Sequence, residues 1–216
     1  MLQHLLQSRH EALIFDCDGT IGDTMGIYFD AWNRAIRTMG GPVPVEWATF
    51  CANGGRSFAS TLAEYNERHG CRLEEKEFLR LVDGYVGDRL AYCQPVMPVL
   101  NLIRAERRRP MAVASSGPRK NVHRVLQRQG IWEKFRAVVT MEDVAPDRLK
   151  PAPDLFLLAA RRMGANPSDC LVFEDSPLGV AAAGAAGMAV QVIPTSWWHA
   201  SPCPTAAVAS PSSPRG

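Results

Sequence analysis

The chain has 216 residues, of which 46% are hydrophobic and 21% are charged. These proportions are ordinary for a globular protein, and a chain of this length can bury most of its apolar surface in one core, which disfavours a solenoid and a disulfide-dependent miniprotein. Its formal net charge of +2 is far from the basic excess of a typical nucleic-acid-binding domain, so the charge by itself indicates no macromolecular partner.

The composition also bears on where the protein works. Six cysteines are spread singly along the chain without a CxxC pair, which favours free thiols in a reducing compartment over a zinc site. The sequence has no run of about 18 apolar residues, and its first ten residues lack the apolar stretch of a secretory signal. We therefore expect a cytoplasmic monomer with no membrane or nucleic-acid partner.

Four short apolar runs predict buried parallel strands. They cover residues 12–15, 111–114, 137–140 and 170–173. Helical spacing follows at 119–129 and 153–163, and an Ala- and Gly-rich stretch at 181–189 predicts a helix that packs closely on the sheet. Strands that alternate with helices are typical of an α/β fold with a parallel sheet.

A helical insertion is predicted between the first strand and the rest of the sheet. Its apolar residues have helical spacing at 28–39, 57–69 and 74–91, and Gly and Pro mark hinges at 22–26 and 94–98. The expected division is a discontinuous core of residues 1–24 and 95–195, a helical cap of residues 25–94 and a Pro- and Ser-rich tail of residues 196–216. Three residues at the start of the tail are expected to pack on the core: Trp197, Trp198 and His199.

The most specific motif follows the first predicted strand. Asp16 and Asp18 flank a single residue and are followed by Gly19 and Thr20. Two carboxylates this close together at the end of a core strand repel each other unless a cation or a reaction requires them. An acidic turn without a ligand is the structural alternative; a metal site is the interpretation that the other motifs favour.

Polar residues also follow the other predicted strands. Ser115 and Ser116 supply hydroxyl and amide donors for a phosphoryl oxygen, although such serines also cap helices. Lys150 lies before two prolines that fix the entry to a helix and could aim its ammonium group at the same anion. Glu174 and Asp175 form a second acidic pair. A hard cation with oxygen ligands, Mg²⁺, would relieve the repulsion within both acidic pairs.

In this order, the motifs closely resemble those of the haloacid dehalogenase superfamily. The resemblance extends to about residue 192, and residues 109–116, 150–154 and 173–176 are most similar to the β-phosphoglucomutase and sugar-phosphate phosphatase branch, fructose-1-phosphate phosphatase-like enzymes in particular. It implies a Rossmannoid three-layer α/β/α core with a parallel sheet, a small helical cap inserted after the first strand, an Mg²⁺ cofactor and phosphoryl transfer through an aspartyl-phosphate.

The resemblance also implies a role for each motif. Asp16 matches the nucleophile, and Asp18 matches the general acid and base that protonates the leaving alcohol and then activates water. Asp16, Asp18 through its backbone carbonyl, and Asp175 would hold Mg²⁺, with Glu174 as a nearby or water-mediated ligand. The residues implied to bind the transferring phosphoryl group are Ser115, Ser116 and Lys150.

Two positions of the predicted cap bear on specificity. Arg56 follows a Gly-Gly turn at a predicted helix start and resembles the cap loop that reaches the distal group of a substrate, whereas its structural alternative is a solvated Arg. Tyr28 stands where many members of the branch have His in the first cap helix. This difference counts against a mutase.

The sequence thus predicts a phosphatase that hydrolyses a small phosphate monoester, a sugar phosphate in particular. One alternative is a phosphosugar mutase, which would form the same intermediate on Asp16. A second alternative is a non-catalytic phospho-accepting or interaction module, because receiver domains also combine Asp, Ser or Thr, Lys and Mg²⁺ on an α/β sheet. The spacing of Asp16 and Asp18 and the large insertion disfavour that alternative.

Overall fold

The computed structural model describes residues 2–194. The predicted tail, with Trp197, Trp198 and His199, lies outside the described residues. In the described range, no helix combines the length and the apolar character that crossing a membrane requires.

A parallel sheet forms the centre of the fold. In chain order the strands of the protein are β1 (Ala12–Phe15), β2 (Gly22–Asp23), β3 (Gln94–Pro95), β4 (Met111–Ala114), β5 (Ala137–Val139), β6 (Cys170–Glu174) and β7 (Ala189–Val192). Five of them form the central sheet, in the order β5-β4-β1-β6-β7, whereas β2 and β3 pair with each other. The register sets Leu13 of β1 beside Met111 on one side and Leu171 on the other. The first strand in sequence is therefore the central strand of the sheet.

Eight α-helices accompany the strands within residues 2–194. They are α1 (Met25–Thr38), α2 (Trp47–Ala52), α3 (Phe58–His69), α4 (Glu75–Val86), α5 (Met97–Ala105), α6 (Arg119–Arg128), α7 (Asp154–Met163) and α8 (Pro177–Ala185).

Both faces of the sheet are covered by helices. Leu13 and Phe15 of β1 belong to the same hydrophobic cluster as α5 and α6, whereas Ala12 and Ile14 belong to the cluster of α7 and α8. All four side chains are fully buried, as expected for a strand between two helical layers. The structure confirms the predicted α/β fold with its three-layer core.

The segment between β2 and β3 is helical and has an aromatic centre. The indole ring of Trp32 in α1 meets the ring of Phe58 in α3 and that of Phe78 in α4 edge to face, with centroids 5.2 and 4.6 Å apart. The predicted helix 74–91 is too long: α4 ends at Val86 because Gly87, with φ 27° and ψ −124°, interrupts it, and a 3-10 helix continues to residue 92. The short helix α2 was not predicted.

The two predicted hinges meet. Gly22 pairs with Pro95 and Asp23 with Gln94, so β2 and β3 form a two-stranded antiparallel ribbon where the helical segment leaves and rejoins the sheet. This pairing brings both connections to the same edge of the sheet.

The boundaries of one predicted strand and one further predicted helix also differ from the structure. The third predicted strand ends at Val139, because Thr140 caps a 3-10 helix through reciprocal hydrogen bonds with Asp143. The helix expected at 181–189 begins at Pro177, where the Ser176 hydroxyl caps it, and ends at Ala185 before the edge strand β7.

Candidate active site

The site lies at the carboxyl ends of the central strands. Because β1 runs between β4 and β6, the residues that end or follow these strands, Asp16, Ser115 and Glu174, meet at one edge of the sheet. Backbone hydrogen bonds continue the sheet to that edge: the Asp16 amide donates to the carbonyl of Phe173 over 3.0 Å. This edge is where open α/β sheets bind their ligands.

A buried ammonium group joins two of the predicted carboxylates. The Nζ of Lys150 donates to Asp16 Oδ1 over 2.5 Å and to Glu174 Oε1 over 2.7 Å, and Lys150 is only 3% exposed. Burial alone would lower the pKa of Lys150, but Asp16 and Glu174 outweigh it and raise the pKa above its usual value. Lys150 is therefore charged, as a group facing an anion must be. Its predicted contact with the phosphoryl group stays a prediction.

Glu174 is fixed from the opposite side by the start of α8. Its Oε2 accepts from the Ser176 amide over 2.6 Å, and the Ser176 hydroxyl donates to Oε1 over 3.2 Å while accepting from the Gly179 amide over 3.0 Å. A Cβ atom at Gly179 would lie 1.6 Å from Glu174 Oε1. The carboxylate thus fills the space that a side chain at position 179 would need.

Three carboxylates are close enough to share one cation. Asp16, Glu174 and Asp175 each offer an oxygen within 4.8 Å of the others, and the Thr20 hydroxyl donates to Asp175 Oδ1 over 2.8 Å. Burial is the main cause that raises the pKa of Asp16 to about 7 and the pKa of Asp175 well above its usual range, and the neighbouring carboxylates add to it. Lys150 balances only one of these charges, so an all-oxygen set with excess negative charge fits Mg²⁺.

Asp18 occupies a different environment from Asp16. Its Oδ1 accepts from the Thr24 hydroxyl over 2.7 Å, and its carboxylate is not among the three that can reach one cation. Burial raises the pKa of Asp18 above its usual value. Two neighbouring carboxyl groups thus differ in their partners: Asp16 is bound to an ammonium group, and Asp18 accepts from a hydroxyl group.

The two predicted serines lie next to these carboxylates. The Ser115 hydroxyl accepts from the Gly117 amide over 2.9 Å and is buried. The Ser116 Oγ is buried and has no hydrogen-bond partner within residues 2–194. An unpartnered buried hydroxyl costs free energy, so the structure leaves a donor here for a ligand.

A cavity of about 710 Å³ lies between this sheet edge and the helical segment. Asp16, Asp18 and both serines line one side. The helical segment contributes apolar residues, such as Met25 and Trp32, together with charged residues of α4. A volume of this size suits a small metabolite.

Arg56 lines the cavity, but its guanidinium group already has partners. Its Nη1 donates to Asn53 Oδ1 over 2.8 Å and to Glu64 Oε2 over 2.6 Å. The sequence could not indicate this pairing, because the Arg-Glu contact arises only once α3 has formed. The predicted contact of Arg56 with a distal substrate group stays a prediction.

Sequence reasoning missed two contacts that join the helical segment to the sheet-forming part. Asn121 Nδ2 donates to the Tyr28 hydroxyl over 3.1 Å, and Lys120 Nζ donates to Asp83 Oδ2 over 2.6 Å. All four residues line the cavity. Their partners are far apart in the chain, so no local pattern signals them. Thr24, six residues from Asp18, could have been found as a hydroxyl just beyond the acidic motif.

Comparisons with known proteins agree on the family. The sequence model of haloacid dehalogenase-like hydrolases matches residues 10–187. The fructose-1-phosphate phosphatase YqaB of Escherichia coli (strain K12) is 34% identical over 190 residues, which cover 85% of this chain and 96% of YqaB.

Solved structures show the same fold. CbbY from Rhodobacter sphaeroides in complex with xylulose-(1,5)bisphosphate, a mutant protein, superposes with a TM-score of 0.76 at 22% identity and covers 86% of each chain. β-Phosphoglucomutase from Clostridium difficile gives a TM-score of 0.70 at 25% identity, covering 84% of this chain and 83% of its own. With a family match over most of its length and carboxylates, Lys and Ser gathered at one sheet edge, the chain belongs to the haloacid dehalogenase-like hydrolase family.

Proposed function

We propose that the protein is a Mg²⁺-dependent phosphatase that hydrolyses a small phosphate monoester, a sugar phosphate in particular, through an aspartyl-phosphate on Asp16. The observation that carries the proposal is that one cavity contains two carboxyl groups with different partners. Asp16 accepts a hydrogen bond from Lys150, and Asp18 accepts one from Thr24. A nucleophile that stays ionised and a neighbour that exchanges a proton are the two groups that this reaction needs.

In the first half of the reaction, a carboxylate oxygen of Asp16 attacks phosphorus and the bond to the leaving alcohol breaks. Asp18 donates its proton to the leaving oxygen, which departs as an alcohol. In the second half, the Asp18 carboxylate takes a proton from water, and the resulting hydroxide attacks the phosphorus of the aspartyl-phosphate. The bond between phosphorus and the Asp16 oxygen breaks, inorganic phosphate leaves, and Asp16 is again a carboxylate while Asp18 again carries a proton.

The other polar groups of the site stabilise charge. Asp16, the backbone carbonyl of Asp18 and Asp175 would hold Mg²⁺, with Glu174 nearby; a bound Mg²⁺ supplies positive charge beside the phosphoryl oxygens. The 2.5 Å contact with Lys150 favours the ionised form of Asp16 and opposes the effect of burial on its pKa. Ser115 and Ser116 would donate to the transferring phosphoryl group, a role that the unpartnered Ser116 hydroxyl supports.

We also propose that the chain divides into a catalytic core and a cap. Residues 1–24 and 95–195 would form the catalytic core, and residues 25–94 would form a cap that covers the substrate. The cavity between the sheet edge and α1, α3 and α4 supports this division, and so does the ribbon of β2 and β3 at the two crossings.

Relatives support a sugar phosphate as the substrate. YqaB is named for fructose 1-phosphate, and the CbbY complex contains a sugar bisphosphate. A phosphosugar mutase remains the second candidate, because the β-phosphoglucomutase structure is similar along most of the chain.

The test measures phosphate release from fructose 1-phosphate, other hexose and pentose phosphates and p-nitrophenyl phosphate, with Mg²⁺ and with a chelator. We expect hydrolysis that requires Mg²⁺, and an Asp18→Asn variant that loses about 10²- to 10⁴-fold in turnover. Asp169→Asn is the matched control, since Asp169 precedes β6 at the opposite end of that strand. Isomerised sugar phosphate without phosphate release would establish the mutase instead, and no turnover of any ester would contradict both activities.

A further inference from the structure

Tyr28 is a buried group in the cavity to which the proposed mechanism gives no task. It lies in the first turn of α1, is 6% exposed and lines the cavity together with Asp16 and Asp18. Burial, with the nearby Asp18 carboxylate, holds the pKa of Tyr28 well above its usual range. Its hydroxyl group therefore keeps its hydrogen.

The direction of the Tyr28 hydroxyl is set by Asn121. The Oδ1 of Asn121 accepts from Arg124 Nη1 over 3.4 Å, which turns its amide nitrogen towards Tyr28. That nitrogen donates to the Tyr28 oxygen over 3.1 Å, so this oxygen is the acceptor and its own hydrogen must point elsewhere. No second hydrogen bond of the hydroxyl exists within the described range, which leaves one donor available to a ligand.

The ring of Tyr28 is also fixed. It meets the ring of Phe58 edge to face with centroids 5.6 Å apart, and Asn121 itself is only 3% exposed. The same lining includes the apolar residues Met25, Trp32 and Val86, and its charged residues Lys120 and Asp83 are paired with each other. A donor with a fixed position and direction discriminates between ligands that carry an acceptor at that point and ligands that do not.

We propose that Tyr28 is a specificity-determining residue whose hydroxyl donates a hydrogen bond to a hydroxyl or carbonyl oxygen of the substrate's leaving group, with Asn121 as its positioning residue. This inference rests on the proposed phosphatase activity and deepens it. It assigns recognition of the sugar portion to the first helix of the cap as well as to the loop of Arg56.

The test compares kcat/KM for two substrates: the sugar phosphate that the wild-type protein hydrolyses fastest in the panel above, and p-nitrophenyl phosphate, whose leaving group has no oxygen at that place. Tyr28→Phe keeps the ring and removes the donor. We expect the ratio of the two kcat/KM values, sugar phosphate over aryl phosphate, to fall about tenfold, the effect of one hydrogen bond between uncharged groups.

Asn121→Asp tests the direction of the bond. Its carboxylate can only accept, so it turns the Tyr28 hydrogen away from the substrate, and we expect a similar fall in the ratio. Adding Asn121→Asp to the Tyr28→Phe variant should cause no further change in the ratio of the two kcat/KM values. Taking the ratio cancels any general repulsion between the added charge and the phosphate group.

Tyr65→Phe is the matched control, since Tyr65 is a buried cap tyrosine whose hydroxyl donates to the Val43 carbonyl, away from this cavity. It should lower the melting temperature without moving the ratio. An equal loss on both substrates in Tyr28→Phe, or no loss at all, would overturn the inference while leaving the phosphatase proposal intact. A wild-type protein that hydrolyses no sugar phosphate would instead overturn the proposed substrate class and the inference with it.

Discussion

Lys150 contributes to the stability of the fold as well as to the proposed chemistry of the site. Its ammonium group lies between Asp16 and Glu174 and is almost completely buried. Removing one partner of a buried ion pair leaves an uncompensated charge, which destabilises a protein by about 3 to 5 kcal/mol. Replacing Lys150 would therefore damage the fold as well as the site, and loss of activity in such a variant would not by itself identify a role in phosphate binding.

The carboxyl group of Asp16 gives a prediction for pH and metal. Its pKa is about 7 in the folded protein without metal and about 4 in the unfolded chain. Between these values the folded chain holds a proton that the unfolded chain has lost, so this group makes the metal-free protein less stable as pH rises from about 4 to about 7. Mg²⁺ requires ionised carboxylates. We therefore expect Mg²⁺ to stabilise the protein more at pH 8 than at pH 5.5.

Urea unfolding with and without Mg²⁺ at both pH values checks this expectation. At a free Mg²⁺ concentration 100 times the dissociation constant, stabilisation at pH 8 should reach about 2.7 kcal/mol. Asp175→Asn removes one carboxylate of the cluster and should reduce the effect. Equal stabilisation by Mg²⁺ at the two pH values would contradict a site that includes Asp16.

Among the secondary-structure elements, α8 has the closest relation to the site. Its first turn packs directly on the Glu174 carboxylate, because Gly179 has no side chain. We predict that Gly179→Ala displaces Glu174, lowers the free energy of unfolding by several kcal/mol and abolishes activity.

Gly184→Ala in the same helix is the control for that prediction. A Cβ at position 184 meets nothing within 4 Å, so the change should be neutral or should stabilise the helix by up to about 1 kcal/mol. Urea unfolding and phosphate release measured on both variants separate the two cases. If Gly179→Ala has the same stability and activity as Gly184→Ala, the Glu174 carboxylate can move away from the added methyl group without loss, and the prediction is wrong.

The secondary-structure elements differ in how well the sequence predicts them. The strands β1, β4 and β6 are continuous apolar runs followed by polar residues, so both their positions and the residues gathered at their ends follow from a local pattern. The end of α4 does not, since it depends on the unusual backbone angles of Gly87. The edge strand β7 pairs with β6, and the start of α8 is fixed by the contact of Ser176 with Glu174 rather than by the Ala- and Gly-rich composition of the helix.

The molecule as a whole joins its two parts through a glycine loop. Gly55 has φ +90°, and a Cβ there would lie 3.2 Å from the Ser176 hydroxyl, the group that also binds Glu174. The loop of the helical segment thus lies against the sheet edge that carries the acidic cluster. Such long-range contacts, like that between Tyr28 and Asn121, depend on how the two parts meet, which explains why the sequence indicated the chemical groups of the site but not their partners.

Gly55→Ala should weaken that close approach of the loop to Ser176. We expect a several-fold higher KM, because the added methyl group holds the loop away from Ser176 and opens the cavity. The comparison is Gly40→Ala, which has the same left-handed backbone, φ +75°, but open space around it. Both variants should lose about 1 kcal/mol of stability through backbone strain. A KM that rises equally in both would show that the contact with Ser176 does not matter.

The position of β1 at the centre of the sheet has a consequence for protein synthesis. Asp16 leaves the ribosome early, Ser115 and Lys150 follow much later, and Glu174 and Asp175 come last. Parallel pairing of β1 with β6 must wait for almost the entire chain, as is usual for sheets with distant partners. A nascent chain therefore carries Asp16, the proposed nucleophile, without the residues proposed to assist it, and the site is complete only once β6 has been synthesised.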